Sequence, residues 1–444
     1  MKAIIRTFIF LSLFCCTSVS AQEPDSAQYQ FSDSTFRVGS IIFIGNEITK
    51  EYIIAHEMSL KIGSLITREA VKYDIERIYS LRLFTKVEIR VLPDSSTATL
   101  LVQVSERWYF YPFPIVGLKD RSWSKFYYGL GVTHTNFDGR NVRVHGSFAL
   151  GYDPYISIGY TNPLIDEKNN LYFSTNAYYS IVRNRSLVSQ GAGANFDEER
   201  FGGSTGAGKR FSLFSSASFS VDYTSISVSD NKAGRTLATN GNDKFFTLNA
   251  SYRYDTRDLA EYPRIGTLIS LGISKYGLGT EEVNYQRYSY DLRRYIPMYY
   301  DVVLAARMFG SAVGGGTVPN YGHVYYGYGE RIRGHFFEIW EGENIFGSSA
   351  EFHYPLLKPS YFRIPKIPLE QFRDFRYALY FSAFADIGNV RYRRQPLELK
   401  EFLSGFGVGL NLLLAYSVVV RFEYAFGSPK FTNGEIIFDV GAAL

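Results

Sequence analysis

Tyr328-Gly329-Glu330-Arg331-Ile332-Arg333-Gly334-His335 interrupts a chain that otherwise alternates apolar and polar residues in twos. It follows the run Gly314-Gly315-Gly316 and lies between two aromatic-rich alternating segments. An Arg-x-Arg-Gly tip that folds inward needs counter-charges, and two carboxylates supply them. Glu351 sits in Ser348-Ser349-Ala350-Glu351-Phe352, and Asp386 in Phe384-Ala385-Asp386-Ile387-Gly388-Asn389-Val390. One arginine facing two carboxylates from separate strands would lock a loop inside a barrel. Whether the flanks build that barrel decides the fold.

Alternating segments fall near 108–117, 125–136, 141–152, 155–162, 170–181, 198–209, 211–228, 243–256, 264–277, 282–296, 299–312, 345–356, 377–390, 402–413, 415–427 and 434–444. These are sixteen, an even number, as a closed antiparallel barrel with both ends on one side of a membrane requires. The loop holding Arg331 to Gly334 joins the eleventh to the twelfth and so lies on the far, extracellular side. Turn chemistry punctuates the strands at Asp138-Gly139, Asp153-Pro154, Asn162-Pro163 and Gly427-Ser428-Pro429. In the last segment Ile436, Phe438, Val440, Ala442 and Leu444 share one face. The same alternation puts Glu351 with His353, and Asp386 with Phe384 and Gly388. Gly334 permits a positive φ or a close approach to the wall. Pro112 and Pro114 mark either a sheet edge, since proline cannot donate to a ladder, or a short strand near the rim.

Composition is consistent with this. The 444 residues are 17% aromatic and 46% hydrophobic, with 39 glycines. No segment beyond the first 21 residues is an unbroken apolar run of about 18, so no transmembrane helix is expected. Residues 1–21 read as a secretory signal peptide: Lys2 and Arg6, an apolar run from Thr7 to Cys16, then Val19-Ser20-Ala21. Cys15 makes Leu13-Phe14-Cys15-Cys16 a poor lipidation site. Cleavage after Ala21 removes both cysteines, which excludes a disulfide, a thiolate nucleophile and a Cys-ligated metal. It also removes two cations from a net charge of +4, leaving no electrostatic footprint for nucleic acid. Composition alone fits a secreted soluble β-protein equally well.

Residues 22–36 read as a polar linker, and 37–107 as a small domain. Val38 to Ile44 form a strand that ends at Gly45-Asn46. Thr49 is the expected N-cap of a helix reaching about Met58, and Thr67 of a second whose Val71, Ile75 and Ile78 form one apolar face. Two alternating strands follow, with Val87, Ile89 and Val91 on one face and Leu100, Val102 and Val104 on another. The order is β-α-α-β-β. With Ile44-Gly45-Asn46, Lys61-Ile62-Gly63 and Tyr79-Ser80-Leu81-Arg82-Leu83-Phe84, this module resembles a POTRA domain of the BamA/TamA family of outer-membrane assembly factors.

The resemblance continues through residues 108–444. Asn136-Phe137-Asp138-Gly139-Arg140 is similar to the family's early glycine turn, and Tyr262-Pro263-Arg264-Ile265-Gly266-Thr267 to its Tyr-Pro-x-x-Gly-Thr turn. Ile332-Arg333-Gly334-His335 resembles its Val-Arg-Gly-aromatic loop motif, with His335 in place of the aromatic. The resemblance implies that Arg331, Ile332, Arg333, Gly334 and His335 form the loop lock. Glu351 and Asp386 would be its acceptors, and Phe384 and Gly388 the supporting strand motif. A departure is Leu444, where outer-membrane proteins usually end in Phe or Trp.

The fold class expected is therefore mostly β: a 16-stranded transmembrane β-barrel in the outer membrane of a Gram-negative bacterium, preceded by one periplasmic α+β POTRA domain. The resemblance implies a non-enzymatic factor that inserts or translocates unfolded outer-membrane clients through a seam between first and last strands. Periplasmic chaperones, accessory lipoproteins and the lipid bilayer are the further partners. A dedicated transporter of one secreted partner and a passive porin are the alternatives. No cofactor is expected. Gly203 to Arg210 nearly spells a phosphate loop, but Arg210 stands where Ser or Thr should hold Mg²⁺, and the flanks read as strand. His134 and His145 could approach across a hairpin, yet no third ligand makes a zinc site. Asp255 and Asp258 read as solvated lumen charge.

Overall fold

A computed structural model describes residues 36–94, 96–119, 123–190, 196–232, 234–259, 262–280, 282–364, 374–414, 418–429 and 434–442. The signal peptide, nearly all of the linker and Leu444 lie outside them. The small domain runs β1 (Arg37–Ile44), α1 (Glu51–Glu57), α2 (Arg68–Ser80), β2 (Phe84–Asp94) and β3 (Thr97–Glu106). Its sheet order is β1-β3-β2, with β1 parallel to β3 and β2 antiparallel to it. Val71 and Ile78 of α2 pack with Ile53, Ile54, Ile89, Leu100 and Val102 in one core. Thr67 caps α2, its hydroxyl accepting from the Ala70 N–H at 3.1 Å. Buried Asp74 accepts from Ser59 N, Ser59 Oγ and Leu60 N, which fixes the chain between the helices.

Thr49 does not cap α1. Lys50 takes the N-cap position without a side-chain bond. The Thr49 hydroxyl instead lies 2.8 Å from Tyr109 Oη and accepts from Asn136 Nδ2 at 2.9 Å. A buried hydroxyl needs partners more than a water-exposed helix end needs a cap, so Thr49 joins the small domain to the large one.

The large domain contains β4 (Phe110–Leu118), β5 (Phe126–Phe137), β6 (Val142–Gly151), β7 (Tyr155–Asp166), β8 (Leu171–Arg183) and β9 (Asp197–Arg210). Then come β10 (Ser215–Val228), β11 (Asn242–Asp255), β12 (Gly266–Leu278), β13 (Tyr285–Pro297) and β14 (Val303–Gly315). A two-stranded ribbon, β15 (Val324–Tyr326) and β16 (Trp340–Gly342), is followed by β17 (Asn344–Arg363), β18 (Asp374–Arg391), β19 (Leu403–Leu414), β20 (Val418–Gly427) and β21 (Gly434–Ala442). Apart from the ribbon these form one antiparallel sheet of 16 strands, in chain order from β4 to β21. Among the described residues no ladder joins β4 to β21.

Alternation sorts each strand. Phe219 and Val221, Leu271 and Ile273, Phe406, Val408 and Leu410, and Ile436, Phe438 and Val440 are exposed on the outer face. Ser220, Asp222, Asn249 and Ser274 form a hydrogen-bonded polar row on the inner face. Apolar-out and polar-in is the pattern of a barrel solvated by lipid outside and water inside. Contacts across the interior confirm that the sheet curls round: the turn residue Tyr262 stacks on Tyr380 of β18 at 4.6 Å and meets the His353 ring of β17, tilted, at 4.9 Å.

Three details differ from the sequence reading. Asn162-Pro163 lies within β7, where the β7–β8 register is irregular between Asn162 and Asp166. The proline there removes a ladder donor without turning the chain, and the turn comes after Asp166. His134 and His145 are one position out of register, pairing with Val144 and Thr133, so they point to opposite faces. Asp258 is not left to solvent alone; its carboxylate accepts from the Leu259 and Arg264 N–H groups at 3.0 Å within the β11–β12 turn.

Candidate functional site

The loop between β14 and β17 folds back into the barrel, and arginines fasten it along its length. Near its start, Arg287 of β13 donates to the Gly322 carbonyl at 2.7 Å and to Ser311 Oγ at 2.7 Å. Further on, Arg307 of β14 grips both Glu330 oxygens at 2.9 and 3.0 Å, and Asp291 holds the other side of that guanidinium at 2.8 Å. Ile332 buries its side chain among Phe309, Tyr326, Ile345 and Leu403.

Arg333 is the centre of the site. Its Nε and Nη2 form a fork on Asp386 of β18 at 2.7 and 2.8 Å, and its backbone N–H adds a third bond to the same carboxylate at 3.1 Å. Its Nη1 donates to Glu351 of β17 at 2.7 Å and to Glu423 of β20 at 3.1 Å. The guanidinium lies 3.5 Å from the centroid of the Phe384 ring. A planar five-donor cation suits this arrangement, because fork geometry meets one carboxylate while the remaining N–H groups reach others. Glu351 is oriented in turn by His353 Nε2 at 2.9 Å.

The neighbours complete the site. Gly334 has φ +97, and a Cβ there would meet the Phe426 carbonyl. Gly388 leaves room for the Tyr326 ring and Ile332. His335 is buried, with Nδ1 3.1 Å from Glu338 Oε2 and Nε2 3.3 Å from Ser428 Oγ. Histidine thus supplies polar contacts that a phenyl ring at this position would lack. Arg331 is directed elsewhere: Nε donates to the Tyr328 carbonyl at 3.1 Å, and its guanidinium sits 4.3 Å over Phe336. The Phe336 N–H donates to Glu435 of β21 at 3.0 Å, and its ring packs with Ala425 and Ile437. The loop tip therefore touches every strand from β17 to β21.

Of the residues singled out from sequence, Ile332, Arg333, Gly334, His335, Glu351, Phe384, Asp386 and Gly388 come together, and Arg331 points away from the carboxylates. Glu423, Glu435, Glu330 and Arg307 were not singled out. Glu423 had a signal: it is an acid at the inward phase of the apolar stretch Val418-Val419-Val420-Arg421-Phe422-Glu423.

The small domain sits on the opposite end of the barrel. Glu57 of α1 is clasped between Arg77 of α2 at 2.8 Å and Arg210, the last residue of β9, at 2.5 Å. The Lys50 N–H donates to the Gly139 carbonyl in the β5–β6 turn at 2.9 Å. Burial pushes the Glu57 carboxyl up, but the two arginines outweigh it and hold its pKa below the usual value. A lowered folded-state pKa stabilises the docked state above the unfolded value near 4.3 and loses that stabilisation as pH falls through the folded value. Docking should therefore be intact at pH 6 and weaken below about pH 4, read as a spin-label distance between α1 and residue 212. Glu57→Gln should loosen docking at pH 6 and flatten the acid dependence. An unchanged acid profile in that variant would place the titration elsewhere.

Comparison with known proteins gives the following. The family model described as the Omp85 superfamily domain matches residues 136–442. The POTRA model, described as a surface antigen variable number repeat, matches residues 36–107. Among solved structures, the chain is similar to BamA from Haemophilus ducreyi lacking POTRA domains 1–3, with TM-score 0.56 and 18% identity over 91% of this chain and 83% of that one. It is similar to CdiB from Escherichia coli, with TM-score 0.53 and 9% identity over 96% and 91%. CdiB from Acinetobacter baumannii matches with TM-score 0.50 and 13% identity over 92% and 73%. At these identities the structural likeness concerns the fold.

Proposed function

Because this chain belongs to the Omp85 superfamily and carries a POTRA unit ahead of its barrel, we propose that it inserts unfolded outer-membrane proteins through the seam between its first and last strands. Its class is the outer-membrane barrel that transports or inserts protein clients. In the finer reading, the POTRA unit hangs in the periplasm and takes clients from chaperones, with lipoproteins as accessory partners. The clasped loop then enters from the extracellular end. The edges of the small sheet, β1 and β2, can pair with an extended client strand through backbone bonds that ignore its sequence.

The observation that carries the proposal is the order of the large sheet, whose ends are β4 and β21. In lipid every backbone N–H and C=O must find a partner, so an end strand is a template for an incoming one. Pro112 and Pro114 lie within β4 and remove two of its donors, which weakens any closure there.

A second reading, export of one dedicated partner through the lumen, is favoured by the polar row Ser220, Asp222, Asn249 and Ser274 on a wall away from the clasp. Conditional depletion followed by quantitative proteomics of the outer membrane separates the two. Insertion predicts that many unrelated barrels fall together and accumulate in the periplasm. Loss of one protein from the medium with barrels level would replace it by dedicated export. No change in either would refute both.

A further inference from the structure

A cluster outside the clasp sits beside β4, at the barrel end away from the small domain. The β4–β5 connection presents Trp123, 84% exposed, followed by Lys125. Phe126 and Tyr128 stack at 5.9 Å on the outer face of β5, both exposed. In the next turn the Tyr152 ring has Lys125 Nζ 5.4 Å and the Arg183 guanidinium 4.8 Å from its centroid. Buried Asp153, held at φ +54, accepts from Lys119 Nζ at 2.9 Å, from Arg185 Nη2 at 3.0 Å and from the Arg183 N–H at 2.9 Å. Arg183 also lies 3.8 Å from Asp197 and keeps a side chain 61% exposed.

Lys119 and Arg185 are thus taken up by Asp153, while Lys125 and the largely exposed Arg183 lie over the Tyr152 ring at the outer rim. The cluster crowns an apolar outer wall formed by Phe148, Leu150, Ile156, Ile158 and Tyr179, all exposed. Cations and an aromatic ring at the top of an acyl-facing wall match an anionic lipid: charge attracts the headgroup, and apolar area takes the chains. Cation–π contacts hold both cations beside the ring. A free anion would need neither the wall nor Trp123.

We propose that this rim binds a phosphorylated lipid of the outer leaflet. Its phosphate lies between Lys125 and Arg183, Trp123 sits in the headgroup layer, and the acyl chains run down Leu150 and Ile156. The site is next to the first strand of the seam, so the lipid would stand where an entering client meets the membrane. The leaflet assignment rests on the orientation given under the proposed function; the binding itself does not require clients.

The test is native mass spectrometry of the full-length protein in detergent, titrated with bisphosphorylated lipid A and with its dephosphorylated form. The wild type should prefer the phosphorylated lipid by on the order of tenfold, and Lys125→Gln/Arg183→Gln should erase that preference. Lys358→Gln, on β17 at the other end of the barrel beside Asp301, should not. Retained heat-modifiable gel mobility certifies that the variants fold. Equal binding of the two lipids by wild type would overturn the proposal, as would an undiminished preference in the double variant. Inorganic phosphate competing as well as the lipid would mark a free-anion site and overturn it too. The readout contains no client, so failure here and failure of the insertion reading are separate results.

Discussion

Arg333→Ala should free the loop between β14 and β17 while leaving the barrel itself folded. Three inward carboxylates, Asp386, Glu351 and Glu423, meet on this one cation, whose side chain is only 16% exposed. Removing one partner of a buried ionic group costs roughly 3–5 kcal/mol, mostly because the opposite charges are left unpaired. Here part of that cost is avoided when the loop lifts and water reaches the carboxylates, so about 3 kcal/mol for the docked state is the expected effect. That is a shift of more than a hundredfold toward the undocked loop. Protease cleavage within 316–343 should become rapid, while heat-modifiable mobility persists, since the ladders of the sheet do not involve Arg333. Arg333→Lys keeps the charge but loses the fork and should recover little of the protection. Among the acceptors, Asp386→Ala should be the most damaging, because Asp386 takes three bonds from Arg333 and the others one each. A loop as protected in Arg333→Ala as in wild type would sink the clasp.

How much of this was legible beforehand depended on the range of the interaction. Period-two alternation is local, and it was enough to place the strands and to put Glu351 with His353 and Asp386 with Phe384 on shared faces. Turn residues were legible where the turn is short, as at Asp138-Gly139, whose φ values are +57 and +69. Asn162-Pro163 carries the same local signal inside a strand, because a long strand tolerates one bulge if its neighbours still pair. The cap at Thr49 failed for a longer-range reason: its partners, Tyr109 and Asn136, belong to the other domain. The same applies to Glu423 and Glu435. Their face could be read, but which inward charge meets the loop depends on how far each strand is staggered round the barrel, and alternation carries no stagger. The ribbon β15–β16 was missed because three-residue strands have too few positions to show a period.

Gly405→Val should undock the same loop with every charge left in place. Gly405 of β19 pairs with Asp386 on one side and Gly427 on the other, so three inward positions in a row lie beneath the loop tip. The Arg333 carbonyl presses onto Gly405 and the Gly334 carbonyl onto Gly427, where an added Cβ would overlap them. Those neighbours are backbone atoms that cannot rotate away. The strain would therefore be relieved by lifting the loop or by bending the wall, and overpacking of this kind costs about 1–3 kcal/mol or more. Valine also favours strands over glycine, so the wall should hold and the loop should yield. Gly146→Val serves as the control, since nothing stands closer than 4.0 Å to its Cβ position. Cleavage within 316–343 should rise in Gly405→Val and not in Gly146→Val. Because Arg333→Ala and Gly405→Val abolish one docked state by different means, the double variant should be little worse than either alone. Simple addition of the two effects would mean that they act on different states. A protected loop in Gly405→Val would mean that the tip does not rest on these glycines, and the charge cluster would then need another explanation.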